Sequence, residues 1–249
     1  MQIPKRIFGF LWALWAGFWF MFVVSLFTPV YAVVLGIFGK KYSMKCVWIN
    51  CHYLSPFLIA VSLIRLRVFG KEKIAANRSY VFVANHLAQV DIIASASAMP
   101  QPIRFLAKAE IKKIPVFGYM VRMLAIMVDR QSKAIREKSV QYMIEELKKG
   151  NSLFLYPEGT RNRTDQPLKE FKDGAFRVAI LAQVPVAVQT LVGTKKINDP
   201  QGLLQLYPGK VDVYFGDPIE TKGMTLADLE PLKERVKAEM MSHLQPESH

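Results

Sequence analysis

The first hydrophobic run sets the plan of the chain: from Ile7 to Gly39 there is no charged residue. As a helix, a run of about 33 residues extends roughly 50 Å at about 1.5 Å per residue, more than one bilayer core of about 30 Å requires. Pro29 lacks a backbone donor, and Thr28 precedes it. The pattern therefore predicts a long helix over residues 7–27 and a shorter apolar segment after it. Trp12, Trp15 and Trp19 fall at i, i+3 and i+7 and share one face, suited to a lipid interface or to ordinary packing. Lys5 and Arg6 precede the run and Lys40, Lys41 and Lys45 follow it, so flanking charge gives no orientation. The run is too long for a secretory signal and lacks a small-x-small cleavage site. A second uncharged stretch, residues 46–64, is interrupted by Asn50, His52, Ser55 and Pro56. It reads as the return leg of a hairpin or as an amphipathic helix in the interface. Residues 1–64 are thus expected to form a membrane-embedded helical segment, with the number of crossings open.

After this point the pattern becomes globular. Residues 64–68 alternate Arg65 and Arg67 with Leu66 and Val68, which predicts an amphipathic strand. Short apolar, β-branched runs at 80–84, 125–128, 153–156, 184–188 and 211–215 predict further strands. Helical patterns lie between them. Ser132 can cap a helix in which Val140, Met143, Ile144 and Leu147 share a face, with Gly150 after its end. Residues 174–183 form a second short helix. Thr225 with Asp228 resembles a capping box opening a charged helix that reaches about residue 244. Residues 65–249 therefore read as one α/β domain, a mixed, largely parallel sheet flanked by helices. In such sheets reactive residues sit in loops beyond the strand ends.

Composition adds a partner class. The 249 residues carry a formal charge of +13 and a pI near 9.7, with 51% hydrophobic residues and positive mean hydropathy. Such a balance suits an anionic partner, and the apolar start turns it toward a membrane surface. The basic residues are scattered and form no nucleic-acid recognition module. Cys46 and Cys51 form neither a C-x-x-C pair nor a cluster with zinc spacing, so free thiols in a reducing compartment fit best.

Four blocks carry chemistry. Asn85-His86-Leu87-Ala88-Gln89-Val90-Asp91 follows a strand. Positions five apart on a regular helix are about 140° out of line, so His86 and Asp91 meet only if the chain turns into a helix between them. An imidazole held by a carboxylate in that way is a general base with a fixed tautomer. A polar loop entering a helix is the plainer reading. The second block, residues 104–130, has an apolar middle suited to core packing or to an acyl-chain wall, while Lys108 and Arg130 can reach a phosphate. In the third, Tyr156-Pro157-Glu158-Gly159-Thr160-Arg161, Gly159 allows close backbone approach, Thr160 offers a hydroxyl and Arg161 a fork for phosphate. Glu158 can hold that arginine or accept from a substrate hydroxyl. The fourth contains Lys172, Gly174 and the Val184-Pro185 strand, which is expected beside the site.

In order and spacing, His86/Asp91, the block ending at Arg130, Glu158-Gly159-Thr160-Arg161 and Val184-Pro185 resemble the four motifs of the glycerolipid acyltransferase family, and most of all its 1-acylglycerol-3-phosphate acyltransferases. The likeness covers residues 80–192, and the hydrophobic start suits the family. One departure is Ala88, where many members have Ser. The resemblance implies an acyl thioester on coenzyme A or acyl carrier protein as co-substrate, with no cofactor and no metal. It implies a lysophosphatidic acid acceptor in the bilayer and phosphatidic acid as product. By the same resemblance His86 is the base and Asp91 its orienting partner. Lys108, Arg130, Glu158, Gly159, Thr160 and Arg161 form the acceptor site. The catalytic domain is expected on the cytosolic side of a bacterial inner membrane or endoplasmic reticulum. The rivals are another acceptor (a lyso-ornithine lipid, glycerol 3-phosphate or another lysophospholipid) and a non-catalytic protein that binds anionic lipid surfaces.

Overall fold

The structure is a computed structural model, and it describes residues 2–128, 133–198 and 204–244. The chain begins with one continuous helix, α1 (Gln2–Phe38), which carries Pro29 inside it. The break expected at Pro29 does not occur. The hydroxyl of Thr28 donates to the carbonyl of Val24 at 2.6 Å, so a side chain joins the backbone ladder where proline interrupts it. In apolar surroundings one missing bond costs less than the several exposed backbone groups of a broken helix. The chain then returns along α1 through α2 (Ser43–Ile49), a wide turn at Asn50–Leu54, and α3 (Ser55–Val61). Trp12 and Trp15 donate from their indole nitrogens to the carbonyls of Ser62 and Val61, and Trp19 meets Phe57 edge-on. Two of the three tryptophans thus clasp the end of the return leg. Among the described residues, α1 alone is long and apolar enough to cross a membrane.

Seven strands follow among the described residues: β1 (Ile64–Phe69), β2 (Val81–Ala84), β3 (Ile103–Lys108), β4 (Ile126–Val128), β5 (Ser152–Leu155), β6 (Val186–Val192) and β7 (Gly209–Phe215). They form one sheet in the order β1-β7-β6-β2-β5-β3-β4, parallel throughout except between β6 and β7. Helices α4 (Asp91–Ala98), α5 (Phe117–Leu124), α6 (Lys133–Lys148), α7 (Gly174–Ala182), α8 (Thr194–Ile197) and α9 (Leu229–Leu244) complete the chain. Period-2 alternation divides β2 between two cores: Phe82 and Ala84 pack toward α1–α4, and Val81 and Val83 toward α6, α7 and α9. Val23, Tyr31, Cys46 and Leu58 of the helical hairpin share the first of these cores with Ile103 and Phe154. The capping box at Thr225 and Asp228 is formed, on a tight turn leading into α9. Ser132, expected to cap α6, lies outside the described residues.

Two further expectations are corrected. The pattern of residues 104–130 gave no strand before 125, yet β3 occupies Ile103–Lys108. Arg104 and Lys108 mask its period: Arg104 is half-buried despite its charge, and Lys108 is exposed at the strand's end. The strand that follows Val184-Pro185 does run beside the site, reaching Asn85 at Leu191, but Pro185 itself does not. Val186 pairs with Val81 and Gln189 with Ala84, so Pro185 lies at the start of β6, at the opposite end of the sheet from His86. Its carbonyl accepts from Val81 at 3.0 Å, which makes it a strand-entry residue.

Candidate active site

Parallel pairing of β2 with β5 brings their carboxyl ends together, and each ends in a loop that carries polar residues. After Ala84 the chain leaves β2 through Asn85. The buried Asn85 amide exchanges two hydrogen bonds with the backbone of Leu191, its nitrogen donating to the carbonyl at 2.9 Å and its oxygen accepting from the amide at 2.8 Å. This pins the exit of β2 to β6. His86 follows, then a tight turn into α4. The turn closes on one oxygen: Asp91 Oδ2 accepts from the amides of Leu87 at 2.6 Å and Ala88 at 2.7 Å, and lies 2.9 Å from His86 Nδ1. Asp91 is fully buried at the start of α4, where the helix dipole favours a carboxylate. A carboxylate only accepts, so Nδ1 carries the proton and Nε2 is the basic atom of the ring. The amides of Gln89 and Val90 donate to Asn198 Oδ1, which fixes the outer side of the turn.

The loop after β5 supports the histidine from below. Glu158 is buried, and its two oxygens accept from the amides of His86 at 2.7 Å and Lys169 at 2.9 Å. Burial pushes its carboxyl above the ordinary value, against the opposing pull of those two donors. Both oxygens are therefore engaged by backbone, and Glu158 holds neither Arg161 nor an open position toward the cavity. The amide of Asn162 donates to the His86 carbonyl at 2.6 Å, so both backbone groups of His86 are fixed by this loop. Gly159 takes a φ of +75°, the left-handed turn that glycine adopts without strain. Lys169 Nζ donates to Thr160 Oγ1 at 2.9 Å.

Tyr156 completes the clamp. Its ring lies flat against the His86 imidazole, with centroids 4.1 Å apart and planes 18° apart. Its hydroxyl is 3.4 Å from Ser95 Oγ, and burial pushes the phenol well above its ordinary value, keeping it neutral. The sequence reading did not single out Tyr156 or Lys169. Tyr156 stands directly before the Pro157-Glu158-Gly159 turn, but its meeting with His86 depends on the pairing of β2 with β5, which no local pattern announces.

His86 and Tyr156 open onto a cavity of about 1270 Å³. Lys108, Gly159, Thr160, Arg161, Arg163 and Lys169 line its polar part. The rest is apolar, walled by Ala13, Gly17 and Phe20 of α1, Leu54 and Leu58 of the return leg, Ile93 of α4, and Phe117 and Met120 of α5. The structure thus brings His86, Lys108, Gly159, Thr160 and Arg161 to one cavity, with Asp91 and Glu158 behind the histidine. Arg130 lies outside the described residues. Such an arrangement can take a proton from a hydroxyl at Nε2, hold an anion beside it, and shelter an alkyl chain.

The fold is shared with the crystal structure of the 1-acyl-sn-glycerophosphate acyltransferase PlsC from Thermotoga maritima, with a TM-score of 0.78 at 24% identity over 96% of this chain and 95% of that one. The chain is 27% identical over 228 residues to the chloroplastic 1-acyl-sn-glycerol-3-phosphate acyltransferase LPAT1 of Arabidopsis thaliana, covering 88% of this chain and 61% of that protein. It is 32% identical over 175 residues to the chloroplastic BAT2 of Brassica napus, which bears the same activity in its name, covering 68% and 50%. The chain thus spans between half and about three fifths of the length of these relatives. The family model described as "Acyltransferase" matches residues 65–190, just over half of the chain and the whole stretch from β1 through the His86 and Glu158 loops into β6, and the chain belongs to that acyltransferase family.

Proposed function

We propose that this protein transfers an acyl group from a coenzyme A or acyl carrier protein thioester to the sn-2 hydroxyl of 1-acylglycerol 3-phosphate, yielding phosphatidic acid and free thiol. The observation that carries this reading is the His86–Asp91 pair at the junction of a cationic recess and a long apolar cavity. His86 Nε2 takes the hydroxyl proton as the oxygen attacks the thioester carbonyl. The tetrahedral intermediate collapses, the C–S bond breaks, and the imidazolium returns its proton to the thiolate. Asp91 steadies the imidazolium, and Glu158 and Asn162 fix the backbone beneath it. Lys108, Arg161 and Lys169 suit the acceptor phosphate, with Thr160 hydrogen-bonded to Lys169. Holding the acceptor hydroxyl against the thioester supplies much of the rate. Arg130, at the end of the second motif, is proposed to join the phosphate site. The α1 helix is taken as the membrane anchor, with the sheet on the cytosolic side.

The test is transfer of labelled acyl groups from either donor to lysophosphatidic acid in purified protein. His86→Ala should lower kcat by at least about 10²-fold. Arg161→Ala should chiefly raise the acceptor KM. Near-normal turnover by His86→Ala ends this reading. Efficient transfer only to a lyso-ornithine lipid, glycerol 3-phosphate or another lysophospholipid would keep the chemistry and change the acceptor.

A further inference from the structure

Between β3 and α5 the chain forms a short knuckle that turns apolar side chains outward. Ile114, Val116 and Tyr119 are 47%, 41% and 50% exposed, and Pro115 between them is exposed as well. A floppy loop could bury such side chains by folding back, but this one is built to hold them out. The Ile114 amide donates to Ile111 O at 3.0 Å, the Gly118 amide to Ile114 O at 2.8 Å, and the Met120 amide to Val116 O at 3.0 Å. Gly118 sits so close to the preceding turn that a Cβ would come within 2.4 Å of Ile111 O. Val116 is held at a φ of +60°, where a β-branched residue is strained. Strain of this kind persists only where the surroundings impose it.

The position of the knuckle says what covers it. Phe117, the first residue of α5 and directly after the knuckle, packs on Phe20 of α1 with ring centroids 5.4 Å apart. Phe20 lies near the middle of the 37-residue α1, whose outward residues, such as Phe18 at 60% exposure, continue the same apolar surface. If α1 is in a bilayer, a rigid tip fastened to its middle cannot stay in water. The charges agree with that placement: Lys112, Lys113 and Arg122 are exposed on either side of the tip. Long basic side chains flanking an apolar tip reach back to headgroups. The inner side of the same segment, through the half-buried Ile111 and Phe117, lines the cavity, and Ile114 stands at its edge.

We propose that the Ile114–Val116 knuckle is a second membrane-inserting element, seated beside α1 in a bilayer with anionic headgroups, and that it keeps the apolar limb of the cavity against the acyl layer. The full-length chain in nanodiscs with phosphatidylserine is labelled with a small fluorophore at Val116→Cys or Tyr119→Cys. Cys46 and Cys51 are buried and protected from the reagent. Lipids brominated along the acyl chain should quench both labels as strongly as one at Phe18→Cys. A label at Glu234→Cys on α9, where the side chain is exposed, should stay unquenched by the lipid and open to aqueous iodide. The Tyr119 site carries the test if the strained Val116 position does not tolerate cysteine. Bromolipid quenching no greater than at residue 234 overturns the proposal. Labels shielded from both bromolipid and iodide overturn it in favour of a second copy or another protein. Lys112→Glu with Lys113→Glu should weaken quenching at residue 119 in anionic discs, and unchanged quenching would remove the anionic-headgroup part.

Discussion

Three donors converge on one oxygen of Asp91, and two on the pair of oxygens of Glu158, so the loop bearing His86 is organised by two buried carboxylates. They differ in what they hold. Asp91 holds the ring, whereas Glu158 holds the backbone under the ring. Glu158→Gln keeps the shape but turns an amide NH₂ toward a backbone N–H. It should cost about 1–3 kcal/mol, as a buried donor is left unpaired, and lower kcat without moving the acceptor KM. The pH sign follows from burial. The folded carboxyl is raised above its unfolded value, so its stabilising contribution is fully present below the ordinary carboxylate range. It is lost as pH rises through the raised value. The melting temperature of the wild type should therefore fall relative to Glu158→Gln across that window, and parallel melting curves would contradict this. Tyr156 gives a separate test. On the proposed mechanism the imidazole becomes cationic, and a ring stacked on it then contributes about 0.5–2 kcal/mol, or about 2- to 30-fold in rate. Tyr156→Leu should lose that factor in kcat, and Tyr156→Phe, which keeps the stack, should recover it. Equal loss in both variants would point to the hydroxyl bonded toward Ser95 instead.

Among elements, the helical hairpin is tied to the sheet by a half-buried cation in addition to their shared apolar core. Arg104 on β3 donates to Ser43 Oγ at the start of α2 at 2.6 Å and to the Leu124 carbonyl at the end of α5 at 3.3 Å, and lies 3.4 Å from Glu146 of α6. Burial pushes the Glu146 carboxyl up, but Lys149, Arg104 and Asn151 together outweigh it and hold the group below its ordinary value. The stability it lends is present above the unfolded carboxylate range and is lost as pH falls through the depressed value. Arg104→Met should cost about 1–3 kcal/mol, less than a fully unpaired buried charge because Lys149 and Asn151 remain. It should also soften the acid limb of the stability curve, measured by thermal unfolding in detergent. Of the strands, β3 was the one the pattern concealed, since a strand with basic residues near both ends shows no clean period. Strands β1, β2, β5 and β7, helices α6 and α7, and the Thr225–Asp228 cap were legible because each is governed by its own neighbours in sequence. Pro29 misled for the opposite reason: its local penalty is real, but the apolar surroundings and the Thr28 hydroxyl decide the outcome. Likewise the turn that joins His86 to Asp91 could be argued from a five-residue spacing. The placement of Pro185, Glu158 and Tyr156 depended on strand order, which no single segment encodes.

At the scale of the molecule, the cavity exists only because residues far apart in sequence face one another across it. Gly17 on α1 and Phe117 on α5 are a hundred positions apart, and His86 and Arg161 stand at the polar end. The wall that α1 contributes sets three small residues, Ala13, Ala16 and Gly17, beside the bulkier Phe20 and Met21. Nothing lies within 4 Å of where a Cβ on Gly17 would project, so a larger side chain there can enter the apolar limb without moving the backbone. Gly17→Leu should therefore leave the His86 loop and the melting temperature nearly unchanged while shortening the space for an alkyl chain. Excluding two methylenes costs about 1.6 kcal/mol, at about 0.8 kcal/mol each, or roughly tenfold in preference. The ratio of kcat/KM for short against long acyl chains should rise by about that factor, measured with a thioester series and then with an acceptor series. The series that responds identifies whether donor or acceptor fills the α1 side of the cavity. If neither responds, α1 is an anchor alone and the apolar limb does not hold a reacting chain.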